Sequence, residues 1–183
     1  MKGRVFVISG PSGSGKDTLI QKVLERLDNL YYSISATTRK QRPGEVDGCD
    51  YYFLTDEEFE RRVKCGEFLE WKDVFGERYG TLKSEIEKAE NAGKDILLEL
   101  DVKGALDVKR KIKEAVLIFI LPPSLEALRD RLRKRGDVSE EEIEKRMEVA
   151  PFEIEVGKSE FDYGIVNEDA EVAAMELEKI LGR

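Results

Sequence analysis

Apolar runs and polar intervals divide this chain into short strands and amphipathic helices that follow one another in alternation. Val5-Phe6-Val7-Ile8, Ile96-Leu97-Leu98 and Val116-Leu117-Ile118-Phe119-Ile120 are continuous apolar runs, the pattern of strands covered on both faces. Further strands are predicted over 31–37, 51–54, 67–74 and 163–167, with the second and third runs extended to 96–101 and 116–121. Elsewhere the apolar positions fall three and four apart: Leu19, Ile20, Val23, Leu24 and Leu27 mark a first helix. The same spacing predicts helices over 56–64, 84–91, 102–113, 124–135, 139–150 and 170–181. Strands alternating with helices predict an α/β fold with a mostly parallel sheet. Residues 35–79 differ, with short strand-like pieces, many polar groups and turn residues at Pro43-Gly44 and Asp47-Gly48. They predict a small antiparallel insert beside the main sheet. Pro151 falls where a helical pattern runs; a proline inside a helix costs about 3 kcal/mol, which predicts a kink or break after Ala150.

Composition narrows what such a fold can do. A chain of 183 residues with 40% hydrophobic content is one domain with a substantial core. Its formal charge of −8 offers no broad basic face, which argues against a nucleic-acid or anionic-membrane partner. Two cysteines, Cys49 and Cys65, are too few for a disulfide framework, and nothing before Val5 reads as a charged-then-apolar leader; the expected location is the cytoplasm. No apolar run approaches membrane-spanning length. Histidine is absent, so a histidine base, a Ser-His-Asp triad and a histidine-bound zinc are excluded. Carboxylates, Lys, Arg, backbone amides and a hard cation must carry the chemistry. Charged residues at 38% with few side-chain amides form a balance seen in proteins from hot environments.

Immediately after the first apolar run comes Gly10-Pro11-Ser12-Gly13-Ser14-Gly15-Lys16-Asp17-Thr18, and the first helix follows. A Gly-rich turn between a buried strand and a helix is a phosphate-binding loop: the glycines let successive N–H groups face a polyphosphate, and the helix start adds its own unpaired N–H groups. Lys16 reaches the β- and γ-phosphates as a point charge. The usual loop places a magnesium-binding hydroxyl after the lysine, where this chain has Asp17, with a hydroxyl one place later at Thr18. Asp17 is open to two readings, a hard oxygen ligand for Mg²⁺ or an acid favoured in the first turn of a helix.

Other charged groups recur at telling places. Arg39 and Arg42 lie three apart beside Thr37 and Thr38, a cluster able to grip a phosphate by forked hydrogen bonds or simply to stand in solvent. Tyr51 and Tyr79 add phenolic donors. Glu99 and Asp101 end a buried strand with period-two spacing, so both point one way at the edge where open α/β sheets bind ligands. Arg131 and Arg135 share a helical face, and Arg146 lies on the next helix, which the pair Ser139 and Glu142 opens. Acidic neighbours also allow those arginines a salt-bridging role.

Taken together, Ser33-Ile34-Ser35-Ala36-Thr37-Thr38-Arg39, Arg42-Pro43-Gly44-Glu45-Val46-Asp47-Gly48, Asp50-Tyr51, Glu67-Phe68-Leu69-Glu70-Trp71, Tyr79-Gly80-Thr81, Asp101-Val102-Lys103-Gly104-Ala105 and Val166-Asn167 resemble guanylate kinases, nucleoside monophosphate kinases that phosphorylate GMP from ATP. The resemblance covers the whole chain. It implies a P-loop kinase core over about 1–34, 83–124 and 158–183, a GMP-binding insert over about 35–82 and a helical lid over about 125–157, all in one domain. It implies that Arg39, Arg42, Tyr51 and Tyr79 hold the GMP phosphate, and that Ser35, Glu70 and Thr81 read the guanine. One carboxylate can accept both N1–H and the N2 amino group of guanine. Glu99 and Asp101 fall at acidic positions near GMP and the metal; Glu99 stands where the family often has Asp, and Lys103 where Gln is common. The resemblance further implies Lys16, Arg39, Arg131, Arg135 and Arg146 as the groups that carry the transfer, and Asn167 beside the ATP base. Mg²⁺ is the implied cofactor, with Asp17, Thr18 and Asp101 as its protein-side oxygens, directly or through water, and ATP the co-substrate.

Overall fold

A computed structural model describes residues 3–74, 76–136 and 138–182. In chain order the elements are β1 (Val5–Ser9), α1 (Lys16–Leu24), β2 (Leu30–Tyr32), β3 (Ser35–Thr37), β4 (Tyr52–Phe53), α2 (Asp56–Lys64), β5 (Phe68–Val74), β6 (Glu77–Leu82), α3 (Lys83–Asn91), β7 (Asp95–Glu99), α4 (Val102–Lys111), β8 (Val116–Leu121), α5 (Leu125–Arg135), α6 (Glu140–Glu160), β9 (Tyr163–Val166) and α7 (Ala170–Leu181). Five strands form a parallel sheet in the order β2-β7-β1-β8-β9. β1 is central because it is apolar on both faces. Phe6 and Ile8 pack with Leu19, Val23, Ile118 and Leu177 on the side of α1 and α7. Val7 packs with Leu98, Ala105, Val108 and Leu117 on the side of α4. Each such side chain, fully buried, contributes roughly 1.5–3 kcal/mol of transfer free energy.

The second sheet has the order β4-β3-β6-β5. It is antiparallel from β3 through β6 to β5, and β4 joins β3 in parallel. Its own small core is Ala36, Phe59, Phe68 and Leu82, with Phe59 stacked on Phe68 at 4.4 Å between centroids. α2 closes this core because Thr55 caps its start, accepting from the Glu58 N–H at 3.1 Å.

The structure departs from the pattern-based expectations at four places. The strand expected over 31–37 is two strands in different sheets, broken at Ser33-Ile34. β6 is a full strand that the pattern did not mark. Its Gly80 is where the backbone of β5 comes close: a Cβ there would lie 2.7 Å from the Glu70 carbonyl oxygen. β7 ends at Glu99, and Asp101 is instead the N-cap of α4, its carboxylate accepting from the Gly104 N–H at 2.8 Å; the period-two argument therefore does not reach it. Finally, α6 runs unbroken through Pro151. The lost hydrogen bond and ring clash are offset by packing along the helix, where Ile143, Ala150 and Gly157 are buried. Gly157 lies so close to β8 that a Cβ would meet the Phe119 ring at 2.4 Å.

Candidate functional site

The carboxyl ends of β1 and β7, the start of α1, the inner face of the second sheet and the helices α5 and α6 enclose one cleft of about 1410 Å³. A pocket for one small ligand holds roughly 300–1,000 Å³, so this cleft has room for two. It is lined along one wall by Gly10, Ser12, Gly13, Gly15, Lys16 and Asp17 and along the other by Ser35, Tyr51, Glu70 and Tyr79.

The loop after β1 has the backbone that anion binding needs. Gly10, Gly13 and Gly15 all have positive φ, and at Gly15 a Cβ would sit 2.3 Å from the Asn167 amide nitrogen, so no larger residue fits. Lys16 bends back over the loop, its Nζ donating to the Gly10 carbonyl at 2.8 Å and to the Pro11 carbonyl at 3.4 Å. Three sequence-distant groups brace the loop from outside. The Asn167 Nδ2 donates to the Ser14 carbonyl at 2.8 Å, and Arg131 donates to Ser14 O at 3.2 Å and to Asn167 O at 2.8 Å. Arg146 donates to the Ser12 hydroxyl at 2.7 Å. Arg135 is exposed and lines the cleft. The structure therefore brings Lys16, Arg131, Arg146 and Asn167 together around one loop.

Asp17 and Thr18 are exposed in the first turn of α1. Facing them, Glu99 accepts from the Tyr32 hydroxyl at 2.9 Å. Burial pushes the Glu99 carboxyl above its usual range; Lys16 pulls it down, and Asp17 opposite pushes it up. Asp101 is paired with Lys72 at 2.6 Å. These donors are all oxygens and suit a hard cation. Among the described residues no three acidic groups converge as a protein-only metal cage. Magnesium is commonly held by one or two carboxylates, with water and phosphate oxygens supplying the rest, and the set fits it on those terms.

On the opposite wall, Ser35 and Thr81 face each other across β3 and β6, and Thr81 lies beside Glu70 of β5. Glu70 is 5% exposed. Its Oε1 accepts from the Thr81 N–H at 3.0 Å and from the Thr81 hydroxyl at 2.8 Å. Burial raises this carboxyl above its ordinary value, against the opposing effects of Thr81 and Lys72. Arg39 is 9% exposed, its guanidinium over the rings of Tyr51 at 5.3 Å and Phe53 at 5.7 Å, and Tyr51 meets Tyr79 edge to face at 6.2 Å. Arg39, Tyr51 and Tyr79 thus form one cluster. Arg42 is exposed on the following turn and does not line the cleft.

Besides Tyr32, three groups here were not marked by the sequence. Glu45 accepts from Arg39 at 2.7 Å and from the Arg42 N–H at 2.8 Å, tying the arginine loop to itself. Lys72 shares the inner face of β5 with Glu70, two residues away, a period-two signal that could have found it. Glu153 of α6 lines the cleft; burial pushes its carboxyl up, and Lys16 pulls it back down.

A family model described as guanylate kinase matches residues 2–183. The chain is 52% identical over 173 residues to the guanylate kinase of Thermotoga maritima, covering 94% of this chain and 83% of that one. With the guanylate kinase of Carboxydothermus hydrogenoformans it is 50% identical over 180 residues, covering 98% and 88%. The crystal structure of guanylate kinase from Anaplasma phagocytophilum superposes with a TM-score of 0.79 at 38% identity, covering 98% of this chain and 85% of the other.

Proposed function

The chain belongs to the guanylate kinase family, and we propose on that footing which of its residues perform the ATP-dependent phosphorylation of GMP that defines these enzymes. The observation that carries the assignment is the single cleft with a phosphate loop on one wall and, on the other, a buried carboxylate beside an arginine–tyrosine cluster.

ATP lies with its phosphates over Gly10 to Thr18 and its base beside Asn167. GMP lies along the second sheet, its phosphate at Arg39, Tyr51 and Tyr79 with Arg42 joining from the rim, and its guanine at Ser35, Glu70 and Thr81. Glu70 in its ionised form accepts from N1–H and the N2 amino group, a pair adenine does not present. A polar site left unpaired in this way discriminates by roughly 10⁴-fold or more. dGMP keeps every one of those base contacts and is a substrate too.

Transfer is in line, from the γ-phosphoryl group to a GMP phosphate oxygen, giving ADP and GDP without a covalent enzyme intermediate. Such reactions ask chiefly for alignment and neutralisation of charge. The GMP phosphate is already ionised near neutral pH, so the absence of histidine costs nothing. Lys16 leaves its loop carbonyls for the phosphates, and Arg131, Arg135 and Arg146 bring positive charge from α5 and α6. Mg²⁺ would be held by Thr18 and Asp101, directly or through water, with Asp17 beside them as an acid of the first helical turn, and when bound supplies charge neutralisation to the polyphosphate. Glu99 lies between the two nucleotide walls. Residues 35–82 are the GMP-binding insert and 125–157 the lid, closing on the core over bound nucleotides to exclude water. The reaction belongs to cytoplasmic purine nucleotide metabolism. A coupled assay with ATP and Mg²⁺ against GMP, dGMP, AMP and UMP tests the reading: GMP and dGMP should turn over, and equal rates with AMP would overturn it.

A further inference from the structure

One buried acid belongs to neither nucleotide wall. Glu85, in the first turn of α3, is 0% exposed, and four donors fill its carboxylate. Oε2 accepts from the Tyr31 hydroxyl at 3.1 Å and from the Ile34 N–H at 2.8 Å. Oε1 accepts from the Tyr52 hydroxyl at 3.0 Å and from Lys88 Nζ at 2.8 Å, and Lys88 also donates to the Tyr52 oxygen at 2.6 Å. A carboxylate has about four acceptor sites, so none is left over. Burial, with Glu85 next, pushes the Tyr31 hydroxyl up to about 12, and burial raises Tyr52 as well. Both phenols remain donors.

The origin of these partners gives the group its meaning. Tyr31 is in β2 of the parallel sheet, Tyr52 is in β4 of the second sheet, and Ile34 is in the two-residue link between β2 and β3. Glu85 itself is three residues past β6, where the chain returns from the second sheet. One carboxylate therefore clasps both crossings between the sheets. The effect carries across β4, because neighbouring residues of a strand point to opposite faces. With Tyr52 held by Glu85 on one side, Tyr51 and Phe53 present their rings on the other, where the Arg39 guanidinium lies over both. The Ile34 bond fixes the residue just before Ser35 in the same way.

We propose that Glu85 is a positioning residue for the acceptor nucleotide: through Tyr52 and the Ile34 N–H it sets the place of Tyr51, Arg39 and Ser35 relative to the phosphate loop. The proposal rests on the reading that GMP is bound along the second sheet.

Tyr52→Phe removes one hydroxyl and with it the direct hydrogen bond from β4 to Glu85, and Glu85→Gln leaves the shape while replacing two acceptor sites with donors. Steady-state kinetics should show the KM for GMP raised about tenfold in each, the worth of one hydrogen bond to a charged group, with the KM for ATP essentially unchanged. Adding Tyr52→Phe to Glu85→Gln should cost little more, since both break the same network. Tyr51→Phe serves as the reference for the acceptor wall. If the KM for GMP is unchanged in Tyr52→Phe and Glu85→Gln but raised in Tyr51→Phe, the role of Glu85 is overturned and the acceptor wall stands. No change in any of the three overturns both. A lower melting temperature with both KM values unaltered would make Glu85 plain scaffolding and also overturns the proposal; Tyr52→Phe keeps the test available should the Glu85 variant not fold.

Discussion

Arg146 of α6 donates to the Ser12 hydroxyl in the phosphate loop at 2.7 Å, and the same guanidinium is paired with Glu142 one turn earlier on its own helix. The arginine is thus already docked against the phosphate loop, held at its base by the first turn that Ser139 caps. Arg146→Lys keeps the charge and loses the fork that bridges two partners. kcat should fall by about 10²-fold, the scale on which a preorganised charge-stabilising group acts, while the KM for GMP changes little. A matching rise in that KM with kcat intact would show that Arg146 binds the acceptor instead.

Glu70 gives a pH signature. Its burial raises the carboxyl above the ordinary 4.5, and in the proposed guanine contact only the ionised form can accept both donors. The KM for GMP should therefore rise as pH falls, and the acid limb should begin above the ordinary carboxylate range. Glu70→Gln should abolish that limb and lower kcat/KM for GMP by about 10²-fold, leaving the KM for ATP unmoved. A limb that persists in the variant belongs to another group.

Asp17 stands exposed at the start of α1 opposite Glu99. Asp17→Ser removes a negative charge beside the phosphates and restores the usual hydroxyl, so activity should be kept or slightly raised and the Mg²⁺ titration should shift little. A large rightward shift of that titration would identify Asp17 as a ligand of the cation.

Gly157 is where α6 touches β8. An added methyl group would meet the Phe119 ring, so Gly157→Ala should destabilise the fold by roughly 1–3 kcal/mol, the usual cost of overpacking. Denaturant titration measures it; a stabilised variant would show that the ring can move aside.

Much of this arrangement can be read before any coordinates, because β1, its glycine loop and α1 are local: apolar run, turn residues and helical spacing follow one another without a gap. The proposed role of Glu70 as a base reader comes only through the resemblance to a family, since an isolated acid on a strand has no signal of its own. What stays hidden depends on distant partners. The break at Ser33-Ile34 carries neither glycine nor proline; it exists because Ser33 bonds to Leu97 of one sheet while Ser35 pairs with Thr81 of the other. β6 is masked by its charged and glycine positions. Pro151 misleads because the local rule omits the packing of Ala150 and Gly157. The Lys72–Asp101 pair joins β5 to the cap of α4, a meeting that only the closed chain creates.

The strand order has a consequence for how the molecule is made. β1 is synthesised before the other described strands, yet its hydrogen-bonding neighbours on either side are Ile96 to Glu99 and Val116 to Phe119. Until most of the chain has left the ribosome, an almost wholly apolar strand waits with both edges unpaired, the configuration most prone to pairing with another copy. The glycine loop is delayed further, because one of the groups that brace it, Asn167, emerges only after β9. A nascent chain stalled before residue 95 therefore carries the loop sequence with neither neighbour of β1 to hold it, and gains its nucleotide-binding architecture late.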